Sequence, residues 1–81
     1  NPPFDQAMIE IVAKAEHDRW MRERFAAGWN YGEVRDNANK IHPDLVPWDK
    51  LKPDARNKDI RFAEFLPELL GKLGWEIVRL P

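Results

Sequence analysis

Between two stretches of helical periodicity lies a segment, residues 28–53, that no regular element can fill. Gly32, Asn37, Asn39, Pro43, Pro47 and Pro53 interrupt it at short intervals, each removing a backbone donor or favouring a turn. The same segment carries Trp29, Tyr31, Ile41, Leu45, Val46, Trp48 and Leu51. A connection this long is unusual in a compact domain unless its own side chains pack it down. These apolar residues are therefore expected to staple an ordered loop onto the helices, with only its tip at residues 36–39 left mobile.

The flanking segments have helical character. Residues 5–27 start at a capping Asp5 after Pro2 and Pro3 and stop at Gly28, in the order that helix ends favour. In its first half the period puts Met8, Ile11, Val12 and Ala15 on one core-facing stripe. In its second half Glu16, Trp20, Glu23, Arg24 and Ala27 share a different face, while Met21 and Phe25 point elsewhere. This helix serves two surfaces. Residues 54–73 form a second helix whose apolar face is expected from Ile60, Phe62, Ala63, Leu66, Leu69, Leu70 and Leu73, with a kink or break near Leu66 because Pro67 follows. After Gly74, the alternation of residues 75–80 predicts a short strand, paired with the segment around residues 29–34. The expected fold is mainly α, two helices bridged by a long ordered aromatic loop, with a minor C-terminal β-strand.

Size limits what such a fold can hold. The 81 residues suffice for one domain, and a domain this small buries only about 60% of the surface its unfolded chain exposes. There is no cysteine, so neither disulfides nor thiolate-bound metal reinforce the core. The four tryptophans must carry much of the packing. The chain opens at Asn1 rather than Met and reads as a segment of a longer protein. The absence of cysteine suits a reducing cytoplasm, which is the expected compartment.

The same composition narrows function. A net charge of -1 argues against a nucleic-acid duplex as partner, since duplex binders concentrate positive charge. No apolar run approaches the roughly 20 residues of a membrane span. There is no Ser, Thr or Cys to act as nucleophile, and Gly28 and Gly32 fit no phosphate loop. Two histidines, His17 and His42, are too few for a zinc site, and the run from Asp36 lacks the ligand spacing of a calcium loop. The expectation is a non-enzymatic chain without metal or cofactor. What remains are polar-tipped aromatics, Trp20, Trp29, Tyr31 and Trp48, among arginines that include Arg24 and Arg35. Such a mixture can stack a planar base and donate to phosphates; it can equally form a core. Trp29 and Trp48 read as core, Trp29 being expected to lie buried with its indole N–H paired. Trp20 shares its face with Glu16 and Arg24 and suits a ligand as well as a core. His17 alone reads as a hydrogen-bonded structural histidine, and His42, before Pro43, as a turn residue whose ring bonds the backbone.

The spacing of His17, Trp20, Arg24 and Gly28-Trp29-Asn30-Tyr31-Gly32 is similar to the core of ryanodine-receptor repeats. Val34-Arg35-Asp36, Lys40 and His42-Pro43-Asp44-Leu45-Val46-Pro47-Trp48 follow in that family's order, and the likeness spans about residues 8–78. Where the receptor repeats commonly carry Glu three positions before the histidine, this chain has Lys14, with Glu16 beside His17. In this it resembles the single copies of prokaryotic and phage proteins. The resemblance implies a cytoplasmic regulatory domain, in which paired repeats clasp an adenine nucleotide between tryptophans. By matching position that role falls to Trp20. Arg24 and Arg35 would then meet phosphates, and Glu16 or His17 would read polar edges of the base. A single copy would need flanking domains or self-association to complete a clasp, and the alternative reading is a protein-interaction or self-association module using the same aromatics.

Overall fold

The computed structural model describes residues 4–78 and 80. It comprises helix α1 (Gln6–Ala26), strands β1 (Asn30–Tyr31) and β2 (Ile41–His42), a single 3-10 turn (Trp48–Lys50) and helix α2 (Pro53–Lys72). The mainly helical architecture is the one the sequence predicts. Asp5 caps α1 by accepting from the Met8 N–H at 3.1 Å. Along its exposed side, Arg19 donates to Glu16 and Glu23, and Lys14 pairs with Asp18, spacings at which helical side chains meet. Gly28, at φ 89°, ends the helix in the left-handed conformation that costs glycine least.

The buried stripe of α1 is not the expected one. Ile11 is 68% exposed, whereas Ala13 and His17 are buried. The packed line therefore runs from Ile9 through Ala13 and His17 towards Trp20, a face rotated from the Met8–Ile11–Ala15 stripe. The helices pack against each other closely enough that Ala13 and Ala63 keep no exposed surface. A small side chain sets how near two helices can approach, and hydropathy periodicity alone underrates alanine. On α2 the covered face is correspondingly narrower than predicted: Phe62, Leu69 and Leu73 are exposed. Nor does Pro67 break the helix, which continues through it. Pro67 is exposed, so water can satisfy the carbonyl that its missing N–H leaves free.

The connection is ordered, but contains more regular structure than its glycines and prolines suggest. β1 and β2 pair in parallel, Asn30 with Ile41 and Tyr31 with His42. Ile41 also exchanges backbone hydrogen bonds with Asp36 at 2.9 and 3.0 Å. The tip expected to be mobile is itself bonded: the Asp36 carboxylate accepts from the Asn39 backbone and side chain, which holds its pKa below the ordinary value. Gly32 is required here, because a Cβ on it would collide with the Ile41 side chain. Leu45 and Leu51, at 4% and 2% exposure, are the anchors. Tyr31 is not one; its ring is 52% exposed. Trp29 is half-buried rather than buried.

The predicted C-terminal strand does not form. Residues 75–78 and 80 make no regular structure, Trp75, Val78 and Leu80 are 62–82% exposed, and Arg79 lies outside the described residues. The partner proposed for that strand, β1, pairs instead with β2.

Candidate functional site

Four aromatic rings converge where α1 meets the connection. Trp20, one turn beyond His17, stacks against it with centroids 5.8 Å apart and planes at 26°. His42, at the end of β2, meets Trp20 edge-on at 5.0 Å and Trp29 at 6.2 Å. The Arg24 guanidinium lies over both indoles, 5.9 Å from the Trp20 ring and 5.1 Å from the Trp29 ring, a placement that cation–π attraction favours. Helical spacing supplies His17, Trp20 and Arg24. The parallel ladder, by placing Tyr31 beside His42, brings the imidazole across to them.

Trp20 and His42 form a wall between two adjoining hollows. The first, about 230 Å³, is bounded by Glu16, His17, Asp44, Lys58 and Asp59 over Leu51 and Ala55. The second, about 340 Å³, is bounded by Arg24, Trp29, Arg35 and Asn37. Small-molecule sites run from roughly 300 to 1,000 Å³, so the two lobes joined at their shared wall reach that size. Their charges differ. The first lobe has three carboxylates and one ammonium, while the second has two guanidiniums and no acid.

The polar groups of the first lobe are held in distinct states. Arg19 engages both oxygens of Glu16 at 2.8 and 2.9 Å and thereby holds the Glu16 carboxyl below its usual range, against a smaller opposing effect of burial. Asp59 is the reverse case: burial raises its pKa, more than the nearby His17 lowers it. His17 is 3% exposed, and its Nε2 donates to the Val46 carbonyl oxygen at 2.7 Å. His42 Nδ1 accepts from the Asp44 N–H at 3.0 Å, the turn bond expected of it, and burial depresses its pKa. In the second lobe Arg35 Nε donates to Asn37 Oδ1 at 2.9 Å, which aims an otherwise exposed side chain along the tip.

The structure thus gathers Glu16, His17, Trp20, Arg24 and Arg35, drawn from two separated stretches of sequence, about one wall. Pro43 follows His42 and takes no part in either lobe. Trp48 stands apart, between His17 at 6.1 Å and the Arg56 guanidinium at 5.9 Å, as a packing residue. Sequence reasoning missed Asp44, Lys58 and Asp59, and gave His42 only a structural role. For Asp59 a signal existed: Ala55, Asp59 and Ala63 lie at i, i+4 spacing, so an acid sits on the stripe of α2 that carries the buried alanine. A third hollow of about 420 Å³ lies on the opposite flank of α1, lined chiefly by Met21, Phe25, Leu45, Val46, Pro47 and Trp48. Among the described residues no group of three or more His, Cys, Asp or Glu side chains is placed to hold a metal ion, and no helix is long and apolar enough to cross a membrane. Compared with known protein families, the chain matches the RyR domain model over residues 2–79.

Proposed function

The chain belongs to the RyR domain family, and from that premise we propose that it is a non-catalytic, ligand-sensing module whose two-lobed cleft binds a nucleotide-type small molecule. The observation that carries this reading is the change of charge across the Trp20–His42 wall. Arg24 and Arg35 face one lobe and carboxylates face the other. A nucleotide has the matching polarity, with anionic phosphates at one end and the hydrogen-bond donors of base and ribose at the other. Guanidiniums suit phosphate because they donate several bonds in a fixed plane, and an indole between the lobes offers a stacking surface. In this reading the module senses rather than transforms, acts in the cytoplasm, and works with flanking domains or a second copy of the chain. The support for the cytoplasm is a fold that uses no cysteine.

Isothermal titration with AMP, ATP and ADP-ribose tests the proposal. Trp20→Ala should weaken binding by a base-stacking contribution of about 1–3 kcal/mol, and ligand should raise the melting temperature of the parent chain but not of this variant. Failure of all three compounds to bind, or unchanged affinity in the variant, would sink it.

The apolar hollow supports a second reading, a protein-interaction or self-association surface, because Phe25 is 51% exposed beside it and apolar patches mark interfaces. Sedimentation of the parent and of Phe25→Glu separates the readings. Concentration-dependent association that the variant abolishes would favour the interface.

A further inference from the structure

The Val46 carbonyl can only accept a hydrogen bond, so the 2.7 Å contact fixes a proton on His17 Nε2. In a neutral imidazole the other nitrogen then carries a lone pair. That nitrogen, Nδ1, faces Asp59 Oδ2 at 4.0 Å, beyond hydrogen-bonding distance. With the His17 ring neutral, two acceptors confront one another along the first lobe, which both residues line. Among the described residues nothing donates a hydrogen bond to the Asp59 carboxylate, whose side chain is only 23% exposed. Burial raises its pKa, as expected of a carboxylate that has lost water without gaining a donor.

We propose that His17 Nδ1 and the Asp59 carboxylate form a paired acceptor that holds the exocyclic amine of a nucleotide base. This rests on the nucleotide reading above and deepens it. A planar amine carries two hydrogens on one nitrogen, and a nitrogen seated between acceptors 4.0 Å apart can donate one to each. A lone hydroxyl has a single hydrogen and leaves one acceptor unpaired. A carbonyl oxygen in the same place adds a third acceptor and is repelled. The lobe thus selects a base bearing an amine over its oxo counterpart, while Arg24 and Arg35 in the other lobe are blind to that difference.

AMP and IMP, which share ribose and phosphate and differ at the six-position amine, are the probes. The parent chain should bind AMP roughly ten- to a hundredfold more tightly than IMP, the range expected for one hydrogen bond to a charged acceptor. Asp59→Asn keeps the shape of the side chain but supplies its own amide donors towards His17, and should bring the ratio close to one. Equal binding of AMP and IMP by the parent overturns the paired acceptor and leaves the nucleotide reading standing. No binding of either overturns the paired acceptor, and the nucleotide reading falls with it if ATP and ADP-ribose also fail to bind. Nitrogen-15 NMR of the His17 ring gives a check independent of ligand: a proton on both ring nitrogens at neutral pH would make His17 and Asp59 an ion pair and overturn the proposal, whereas a bare Nδ1 supports it.

Discussion

Both helices end in the same way, and the chain that leaves each has a different fate. After α1, Gly28 N–H donates to Phe25 and Trp29 N–H to Arg24 at 3.0 and 2.9 Å; after α2, Gly74 N–H donates to Gly71 and Trp75 N–H to Leu70 at 3.1 and 2.9 Å. Both glycines have positive φ, 89° and 81°, completing the paired bonds of a Schellman cap. Yet Trp29 lies half-buried beneath Arg24 and beside His42, whereas Trp75 is 69% exposed. The cap is a local structure and Gly-Trp suffices to write it. Whether the tryptophan then packs depends on what returns to cover it. After Trp29 the chain turns back, so that Asn30 N–H donates to the Lys40 carbonyl and Lys40 Nζ donates to the last-turn carbonyl of Ala27 at 2.7 Å. After Trp75 no described residue does the same.

This comparison can be tested by damaging each side in turn. Leu51, 2% exposed where the connection meets α2, should give the largest effect: Leu51→Ala should lower stability in urea denaturation by about 2–5 kcal/mol. A loss as small as that of Leu73→Ala, at a position 68% exposed, would mean that the connection is not anchored as described. Lys40 should come next. It sits at φ 58° and bridges to the end of α1, so Lys40→Ala removes the bond and keeps the strained backbone, at a cost of about 0.5–1.5 kcal/mol. Lys40→Gly should cost less, since glycine tolerates that conformation, and thermal melts of the two variants give the order.

A smaller effect follows from pH. His42 belongs to the connection, and its pKa is depressed from 6.5 by burial first, with Arg24, Arg35 and Lys58 acting in the same direction and Asp44 against it. The unfolded chain then takes up a proton more readily than the folded one. Stability is complete above the ordinary imidazole value and is lost as pH falls through it towards the lowered folded value. Asp59 acts oppositely: its raised pKa contributes stability below the ordinary carboxylate range, which is lost as pH rises through the folded value. Melts across the weakly acidic range should therefore fall with decreasing pH in the parent and be flatter in His42→Gln. A parent curve no steeper than that of His42→Gln would show that the ring is not desolvated. The smallest effect belongs to the tail: Trp75→Ala should change stability by no more than about 0.5 kcal/mol, as read by urea denaturation, and a larger loss would place this ring in the core.

Much of this contrast was legible in the sequence, and the rest was not, for reasons specific to each residue. Asp5, Gly28 and Gly74 mark helix ends because caps are short-range hydrogen-bond patterns, satisfied within a few residues of where they are written. The likeness around Gly28–Gly32 and His42–Trp48 carried the family, and the 3.6-residue period carried the shared face of Trp20 and Arg24. The rotation of the buried stripe from Ile11 to Ala13 was hidden, because alanine gains its place from the closeness of another helix rather than from hydropathy. The tail strand does not form, and its absence was hidden because alternation says what a strand would bury without saying whether a partner lies within reach, and β1 pairs with β2 alone among the described residues.

The sequence by itself determined two capped helices, an ordered aromatic connection and a Trp20–Arg24 face, because each depends on residues close together along the chain. Only the tertiary structure decided that His42 crosses to Trp20, that Asp59 of α2 faces His17 of α1, and that cationic and acidic lobes share one wall. Those pairings join residues remote in sequence, and their geometry is set by how closely the helices approach and where the connection is pinned.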